Sequence, residues 1–359
     1  MKIDPADLIG DPLYQCNLLL WMLQPSTGVV VKPLLQQAGY KLRFIEPKLP
    51  LPLTISNKLK TDKLLTADEG APDMIIQGQS PDFVIIECKR SMFGYEPGED
   101  DTATRQCRAF LLQVPQIFSE ALPSIPRKAT TTTHLLYLAC HNTEVPQFTG
   151  VEAIARELVT KNYQATTHGL LTLDISQGSI GLRKTGTHGA IPAALGSALS
   201  NSFTPVQTIP DADTDPRPMY YIPWMPDSEP TPDTYNYNSF ANRILLSAAA
   251  EIGPAIPPCD VELETEVLLA KATNDFYQYW RNNESKRHLG KRSKELLKKE
   301  ILKADPKAGL KPLGDQRSGW KLTLVDTKMQ SRIVEELRKW QSEAWLTPPT
   351  LKEQELFPE

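Results

Sequence analysis

Two short apolar runs on either side of a cluster of turn-forming residues constrain the fold of this chain more than any other feature. The runs are "MIIQ" (74–77) and "FVIIECKR" (83–90), and the residues between them are "GQSPD". Gly, Ser, Pro and Asp favour tight turns, so this segment predicts a β-hairpin centred on Ser80.

The segments after this hairpin alternate between helical and extended patterns. Apolar residues recur at helical spacing over 102–114, with Asp101 as a plausible N-cap, and again over 151–162. Buried strands are predicted at 134–140 and 169–175, and an earlier helix around 14–24. Strands that alternate with helices indicate an α/β core with a mixed sheet.

The composition divides the chain into three parts: a domain over 1–204, a connector over 205–235 and a C-terminal domain over 236–359. The connector is expected to be extended because eight prolines stand between Pro205 and Pro232. Helices are predicted after it at 237–252 and 262–282, and a final strand-and-helix pair closes the chain. We therefore expect the C-terminal domain to be mainly helical and locally basic.

Three charged residues interrupt the ends of the otherwise apolar hairpin. If the chain folds back around Ser80, paired residues have numbers that sum to about 160, so Asp73 lies opposite Glu87, with Cβ atoms roughly 5 Å apart. Side-chain alternation places Lys89 on the same face as Glu87. Two carboxylates this close repel each other, and a divalent cation such as Mg²⁺ or Mn²⁺ would remove the conflict. Lys89 could then contact an attacking water or a phosphate oxygen.

The arrangement of Pro72 and Asp73, thirteen residues, then Glu87, Cys88 and Lys89 resembles the signature of the PD-(D/E)xK nuclease superfamily. The resemblance covers roughly residues 15–180. It implies a restriction-endonuclease-like αβββαβ core with a mixed sheet and metal-dependent phosphodiester hydrolysis. The metal ligands it implies are the two acids and the backbone carbonyl of Cys88.

Two further features of this superfamily bear on the site. RecB-like relatives carry a glutamine in the following helix with an aromatic residue four positions later, and Gln106 and Phe110 match that spacing, which gives Gln106 a supporting catalytic role. Many members also use an acid from an N-terminal helix. Glu46, Asp68 and Glu69 are the candidates, and the number of metal ions stays open.

A basic segment follows the predicted helices of the C-terminal domain. Between Arg281 and Lys311, eleven Lys and Arg residues oppose four acids, a local net charge of 11 − 4 = +7 on a chain whose formal net charge is −4. Leucine and isoleucine spacing makes this segment an amphipathic helix. A solvated face and a protein-binding face are the alternatives to nucleic-acid binding, for which the candidates are Lys291, Arg292, Lys294, Lys298 and Lys299.

Cysteine usage indicates a cytoplasmic location. The five cysteines include no C-x-x-C pair, which is not typical of a disulfide framework or a metal cluster. A zinc site at His134, Cys140 and His141 fits no common spacing. The apolar run "LLLWML" is too short to cross a bilayer, so no membrane partner is expected.

The leading hypothesis is a Mg²⁺-dependent endodeoxyribonuclease of a defence, restriction or transposition system. Its partners would be DNA and a second copy of the chain or other subunits. The alternative is a non-catalytic scaffold that keeps a nuclease-like fold to bind nucleic acid or partner proteins.

Overall fold

The computed structural model of the protein forms two compact units, one within residues 2–218 and one within 219–359. Their boundary falls inside the predicted connector, of which residues 209–233 lie outside the part that the structure describes. The described residues are 6, 9–24, 33–64, 66–67, 69–79, 82–90, 95–96, 100–125, 131–140, 145–199, 203–208, 234–314 and 319–344.

Strands in the described part of the first unit form a seven-stranded mixed sheet and a separate two-stranded one, β2–β3. The larger sheet has the order β1-β4-β5-β6-β7-β8-β9, in which β5, β6 and β7 are parallel and the other neighbours antiparallel. The prediction of an α/β fold with a mixed sheet is confirmed. The strands are β1 (Lys41–Ile45), β2 (Leu49–Pro50), β3 (Glu69–Gly70), β4 (Met74–Gln77), β5 (Asp82–Lys89), β6 (Thr132–Cys140), β7 (Thr167–Ser176), β8 (Ser179–Gly189) and β9 (Thr204–Thr208).

Helices pack on the large sheet and enclose the core. The helices of this unit are α1 (Pro12–Leu23), α2 (Leu34–Gln37), α3 (Leu53–Thr61), α4 (Thr102–Leu111), α5 (Pro115–Ala121), α6 (Val145–Thr160) and α7 (Ala193–Ala198). Phe110 of α4, Phe118 of α5 and Phe148 of α6 pack in one cluster with Ile85 of β5 and Tyr137 of β6. This core therefore lies between one sheet face and the helices that link the parallel strands.

The predicted hairpin and its pairing register are confirmed. β4 and β5 are antiparallel, with Met74 opposite Ile86 and Ile76 opposite Val84, so each pair sums to 160. The apolar residues of β5 are buried on both faces. This is expected for a strand in the middle of a covered sheet, and it explains why the run reads as continuously hydrophobic.

Two segments of the first unit differ from the prediction. The proline-rich stretch 46–59, whose composition favours extended structure or a loop, contains α3, which begins directly after its last proline, Pro52. The φ angle of proline is compatible with a helix, but its missing N–H and its ring exclude it from the helix interior, so it is tolerated at a helix start. The predicted connector also begins with a strand, since β9 pairs with β8 along the sheet edge.

The second unit contains a small sheet in addition to its helices. Its elements are α8 (Thr234–Ile252), β10 (Cys259–Glu264), α9 (Thr265–Ala272), a 3₁₀ turn (Phe276–Tyr279), α10 (Asn283–Ala304), β11 (Gly309–Pro312), β12 (Gly319–Leu324) and α11 (Thr327–Ala344). The three strands are antiparallel in the order β10-β12-β11. The final strand-and-helix pair is as predicted, but β10 occupies the start of the helix predicted at 262–282. Most β10 side chains are at least partly exposed, so its sequence carries little hydrophobic signal.

No helix in the described ranges is long and apolar enough to cross a membrane.

Candidate active site

The hairpin register brings Asp73 and Glu87 together at the end of β4 and β5. Met74 pairs with Ile86, so the next position places Asp73 opposite Glu87, as the sequence predicted. Both residues are buried, with 7% and 4% of their surfaces exposed. The Cys88 N–H donates a hydrogen bond of 2.5 Å to Oδ2 of Asp73, which holds that carboxylate against the strand.

Lys89 and Gln106 complete a row of polar side chains beside the two acids. Lys89 Nζ lies 2.6 Å from Oε1 of Glu87 and donates a hydrogen bond of 3.2 Å to Oε1 of Gln106. Gln106 is brought there by α4, whose first turn is capped by a 2.7 Å hydrogen bond from Thr104 N–H to Oδ1 of Asp101. The structure therefore brings the four predicted catalytic side chains to one end of the sheet.

Burial and charge make the metal-free site electrostatically unfavourable. Burial and the neighbouring charge of Glu87 raise the pKa of Asp73 well above its usual range, and the hydrogen bond from the Cys88 N–H only partly offsets them. Burial alone would lower the pKa of Lys89, but the Glu87 carboxylate outweighs it and raises that pKa above its usual value. One lysine thus partly compensates two buried acids.

Cys88 offers its backbone carbonyl to this site and keeps its thiol away from it. The N–H and C=O of one strand residue point toward the same edge, so the Cys88 carbonyl lies on the Asp73 side. Its thiol forms a hydrogen bond with the Cys16 thiol of α1, and burial raises the pKa of the Cys88 thiol well above its ordinary value. A neutral, buried thiol is a poor ligand for Mg²⁺, whereas a carbonyl oxygen is suitable.

Of the three additional acids, Glu46 lies beside the site. Its N–H donates a 2.9 Å hydrogen bond to the Asp73 carbonyl, and its left-handed φ of 48° turns the chain at the end of β1. Glu69 is exposed and forms an ion pair with Lys48 instead. Asp68 lies outside the described residues. Within the described ranges, no three His, Cys, Asp or Glu side chains are arranged as a metal-binding group.

Gln15 of α1 is a site-adjacent residue that the sequence analysis missed. Its side chain is fully buried, and Nε2 donates hydrogen bonds of 2.8 Å to the Ile9 carbonyl and 3.1 Å to the Lys89 carbonyl. Gln15 thereby holds the end of β5, where Glu87 and Lys89 are presented. A polar residue within the apolar run "YQCNLLLWML" was the available signal, because buried amides require hydrogen-bond partners.

Arg108 anchors the helix that carries Gln106. Its side chain is 2% exposed, and one terminal nitrogen lies 3.2 Å from Oε2 of Glu157 in α6. Replacing Arg108 with Met is expected to lower the free energy of unfolding by about 3 kcal/mol, because Glu157 loses its buried partner. Arg105→Met is the control, since Arg105 pairs with Asp100 at the surface and its loss should lower the stability much less. Urea denaturation measures both, and equal losses would contradict a special role for Arg108.

A zinc site at the ends of β6 is not formed. Nε2 of His134 lies 3.1 Å from Oδ1 of Asp82, at the start of the strand. Cys140 is the last residue of the same strand, six residues away, and His141 lies outside the described residues. At about 3.3 Å per residue, this spacing puts the two side chains roughly 20 Å apart, too far for one metal ion.

The structure separates the five predicted nucleic-acid-binding residues of α10 into three environments. Lys291, Lys298 and Lys299 are exposed and Arg292 is partly buried. Lys294 is buried, with 7% of its surface exposed and its ammonium 4.8 Å from the centre of the Trp320 ring. Its assignment as a direct nucleic-acid contact is therefore corrected: Lys294 fastens α10 to β12.

Comparisons of the chain with protein-family models, with curated proteins and with solved structures found no match.

Proposed function

We propose that this protein is a Mg²⁺-dependent endonuclease that hydrolyses phosphodiester bonds of DNA. The observation that carries the proposal is the convergence of Asp73, Glu87 and Lys89 at one end of the sheet, with both acids buried. Buried structural acids are normally each matched by a cation or by several donors. Here two buried carboxylates lie side by side next to Lys89, and a divalent cation bound between them would relieve their repulsion.

The residues fit a divalent cation. Asp73 and Glu87 supply carboxylate oxygens and Cys88 a carbonyl oxygen, the hard ligands that Mg²⁺ and Mn²⁺ prefer. When bound, the cation would supply Lewis-acid polarisation of the scissile phosphate and a lower pKa for an attacking water. This ligand set leaves room for substrate oxygens, because Mg²⁺ usually keeps several positions for water or phosphate.

The chain's own groups orient the substrate and stabilise developing charge. Lys89 presents its ammonium beside Glu87, where it can donate to a phosphate oxygen or to the attacking water. Gln106 accepts a hydrogen bond from that ammonium and limits its rotation. Gln15 and the Cys88 N–H hold the backbone and Asp73 in place, so the site is preorganised before substrate binds.

The element order also supports the proposal. When α2, β2, α3, β3 and α5 are set aside as additions, the remaining elements α1, β1, β4, β5, α4 and β6 run as helix, three strands, helix and strand. This is the αβββαβ order of restriction-endonuclease-like cores. The acids lie at the end of β4 and β5, next to the parallel strand β6. The agreement extends the resemblance from a short motif to the chain segment around it.

The proposal is tested by incubating the purified full-length protein with supercoiled and linear DNA in Mg²⁺, Mn²⁺ or EDTA. We expect cleavage with either metal and none in EDTA, and a loss of about 10³-fold or more for Glu87→Gln because a metal ligand is removed. The matched control is Glu69→Gln, which removes an exposed acid paired with Lys48 and should cut at the wild-type rate. Equal cutting by wild type and Glu87→Gln would refute the assignment. An absence of cleavage in all metals would favour the scaffold alternative.

A further inference from the structure

The second unit has the element order and sheet order of winged helix-turn-helix domains. α8, β10, α9 and α10 are followed by the hairpin β11–β12 and then α11, and β12 lies between β10 and β11. In that arrangement the second helix of the helix-turn-helix pair enters the major groove of DNA. The corresponding helix here is α10, the basic helix.

Exposed positive charge is concentrated on one side of α10. Elsewhere in this unit, the cations Lys271, Lys303, Lys321, Arg332 and Lys339 lie within 4.0 Å of acid oxygens.

By contrast, the exposed α10 cations Arg287, Lys291 and Lys299 form no ion pair with any described carboxylate. Because these three exposed cations lie on one helix and are not ion-paired within the described residues, this side of α10 is suited to an external polyanion.

The exposed cations follow one line along the helix axis. Arg287, Lys291 and Lys298 lie within about 40° of one another at 100° per residue, and they span about 16 Å of the axis. Glu284 and Glu295 occupy the neighbouring row, and Lys299 lies beyond it. A row of this length can reach phosphates along a duplex groove, since the major groove of B-DNA is about 12 Å wide.

Trp320 fixes α10 against the sheet on one side of this row. Its Nε1–H donates a 2.8 Å hydrogen bond to the Lys294 carbonyl. The Nζ atoms of Lys294 and Lys298 lie 4.8 and 5.7 Å from the centre of its ring. On the core side, Leu289, Leu297 and Ile301 are buried. These contacts anchor α10 to its unit, while Arg287, Lys291, Lys298 and Lys299 stay exposed.

We propose that α10 binds duplex DNA through the phosphates of a groove, with Arg287, Lys291, Lys298 and Lys299 as the contacting cations. Duplex is favoured over single-stranded nucleic acid because α10 carries no Phe, Tyr or Trp, the large aromatic residues that form stacking platforms for bases. The nearby aromatic residues Tyr277 and Trp280 are buried, and Lys294 and Lys298 cover Trp320.

The test is fluorescence anisotropy with the full-length protein in EDTA, so that binding is measured without cleavage. The probes are a 30-base-pair DNA duplex and a single strand of the same length, over a series of salt concentrations. The variant Arg287→Gln/Lys291→Gln/Lys299→Gln should bind the duplex at least tenfold more weakly at low salt. Its salt slope should fall by about 2 to 3, roughly 0.9 for each lost phosphate contact. Lys298 is left intact because it also packs on Trp320.

The control variant Lys271→Gln/Lys321→Gln/Lys339→Gln changes the net charge by the same amount but removes only cations that acids already neutralise. It should change the salt slope by less than about 0.5. Circular dichroism checks that each variant is folded. The single charge reversal Lys291→Glu, at one exposed position, should also weaken duplex binding.

Equal losses in the two triple variants would overturn the proposal, as would tenfold tighter binding to the single strand or no duplex binding at low salt. This inference goes beyond the proposed hydrolysis, because binding in EDTA does not depend on Asp73 or Glu87. If the wild type cuts DNA but the α10 triple variant binds the duplex as tightly as the wild type, the proposed hydrolysis stands and the proposed binding by α10 is wrong.

Discussion

Lys89→Met is expected to reduce metal-dependent DNA cleavage by about 10²–10³-fold, the usual effect of removing one preorganised donor from a transition state. The ammonium of Lys89 lies 2.6 Å from Glu87 and is partly exposed, so it can face both the metal-ligand side and the substrate side of the site. Methionine keeps much of the stem and its packing but removes the donor. The loss should therefore appear in kcat for cleavage.

Metal binding provides the readout that separates this role from a structural one. Removing the ammonium leaves Asp73 and Glu87 with less positive charge nearby, so Mn²⁺ should bind Lys89→Met at least as tightly as wild type. Thermal shift in a Mn²⁺ titration measures this affinity. A variant that loses cleavage and metal binding together would assign Lys89 to holding the site in shape instead.

The cleavage rate of Gln106→Leu is compared with that of Lys89→Met. Gln106 contacts Lys89 and acts through it, so we place it as a positioning residue. Its loss should cost less than the loss of Lys89 itself.

Asp73→Asn is expected to abolish cleavage and at the same time stabilise the metal-free protein. The Asp73 carboxylate is buried beside Glu87, and these two causes raise its pKa well above the usual range. Asparagine can still accept the hydrogen bond from the Cys88 N–H but carries no charge. Sites that hold unfavourable charge for function commonly gain stability when it is removed, by about 0.5–2 kcal/mol.

The raised pKa of Asp73 determines how the stability difference between Asp73→Asn and wild type changes with pH. Since the folded-state pKa of Asp73 is raised, the folded protein holds a proton that the unfolded chain releases near pH 4. The stability linked to that proton is complete below the unfolded value and is lost as the pH rises toward the folded value. The advantage of Asp73→Asn over wild type should therefore grow from pH 4 upward in EDTA.

Thermal unfolding in EDTA and in Mg²⁺ tests this prediction. Mg²⁺ should raise the melting temperature of wild type and not that of Asp73→Asn, because binding to the folded state alone stabilises it. Asp82→Asn is the control, since the pKa of Asp82 is lowered. Burial opposes its ionisation, but hydrogen bonds from His134 and Thr132 outweigh that effect. A lower melting temperature for Asp73→Asn than for wild type at neutral pH in EDTA would show that Asp73 and Glu87 do not repel each other in the folded protein.

Local patterns in the sequence were sufficient to predict how the central residues of the candidate site are arranged. The turn residues before Asp82 and the apolar runs around them set the β4–β5 register, and that register alone places Asp73 opposite Glu87. Asp101 likewise identified the start of α4 and so the position of Gln106 relative to the hairpin. These features depend on contacts between residues close in the sequence, which propensity and periodicity describe well.

The features that the sequence did not reveal depend on contacts between distant segments. Gln15 reaches the Lys89 carbonyl across 74 positions. Its place in an apolar run indicates burial but does not indicate which distant group it contacts. In the sequence Lys294 resembles the other cations of the basic helix, and only its contact with Trp320 distinguishes it.

The sequence by itself determined the α/β class, the hairpin register, the three charged residues at its end and the basic character of α10. Only the tertiary structure decided which cations of α10 face solvent, how β10, β11 and β12 assemble, and how Gln15 supports the strand that carries Lys89. The physical reason is that backbone geometry and side-chain alternation act over a few residues. Burial and charge compensation depend on what the rest of the chain places nearby.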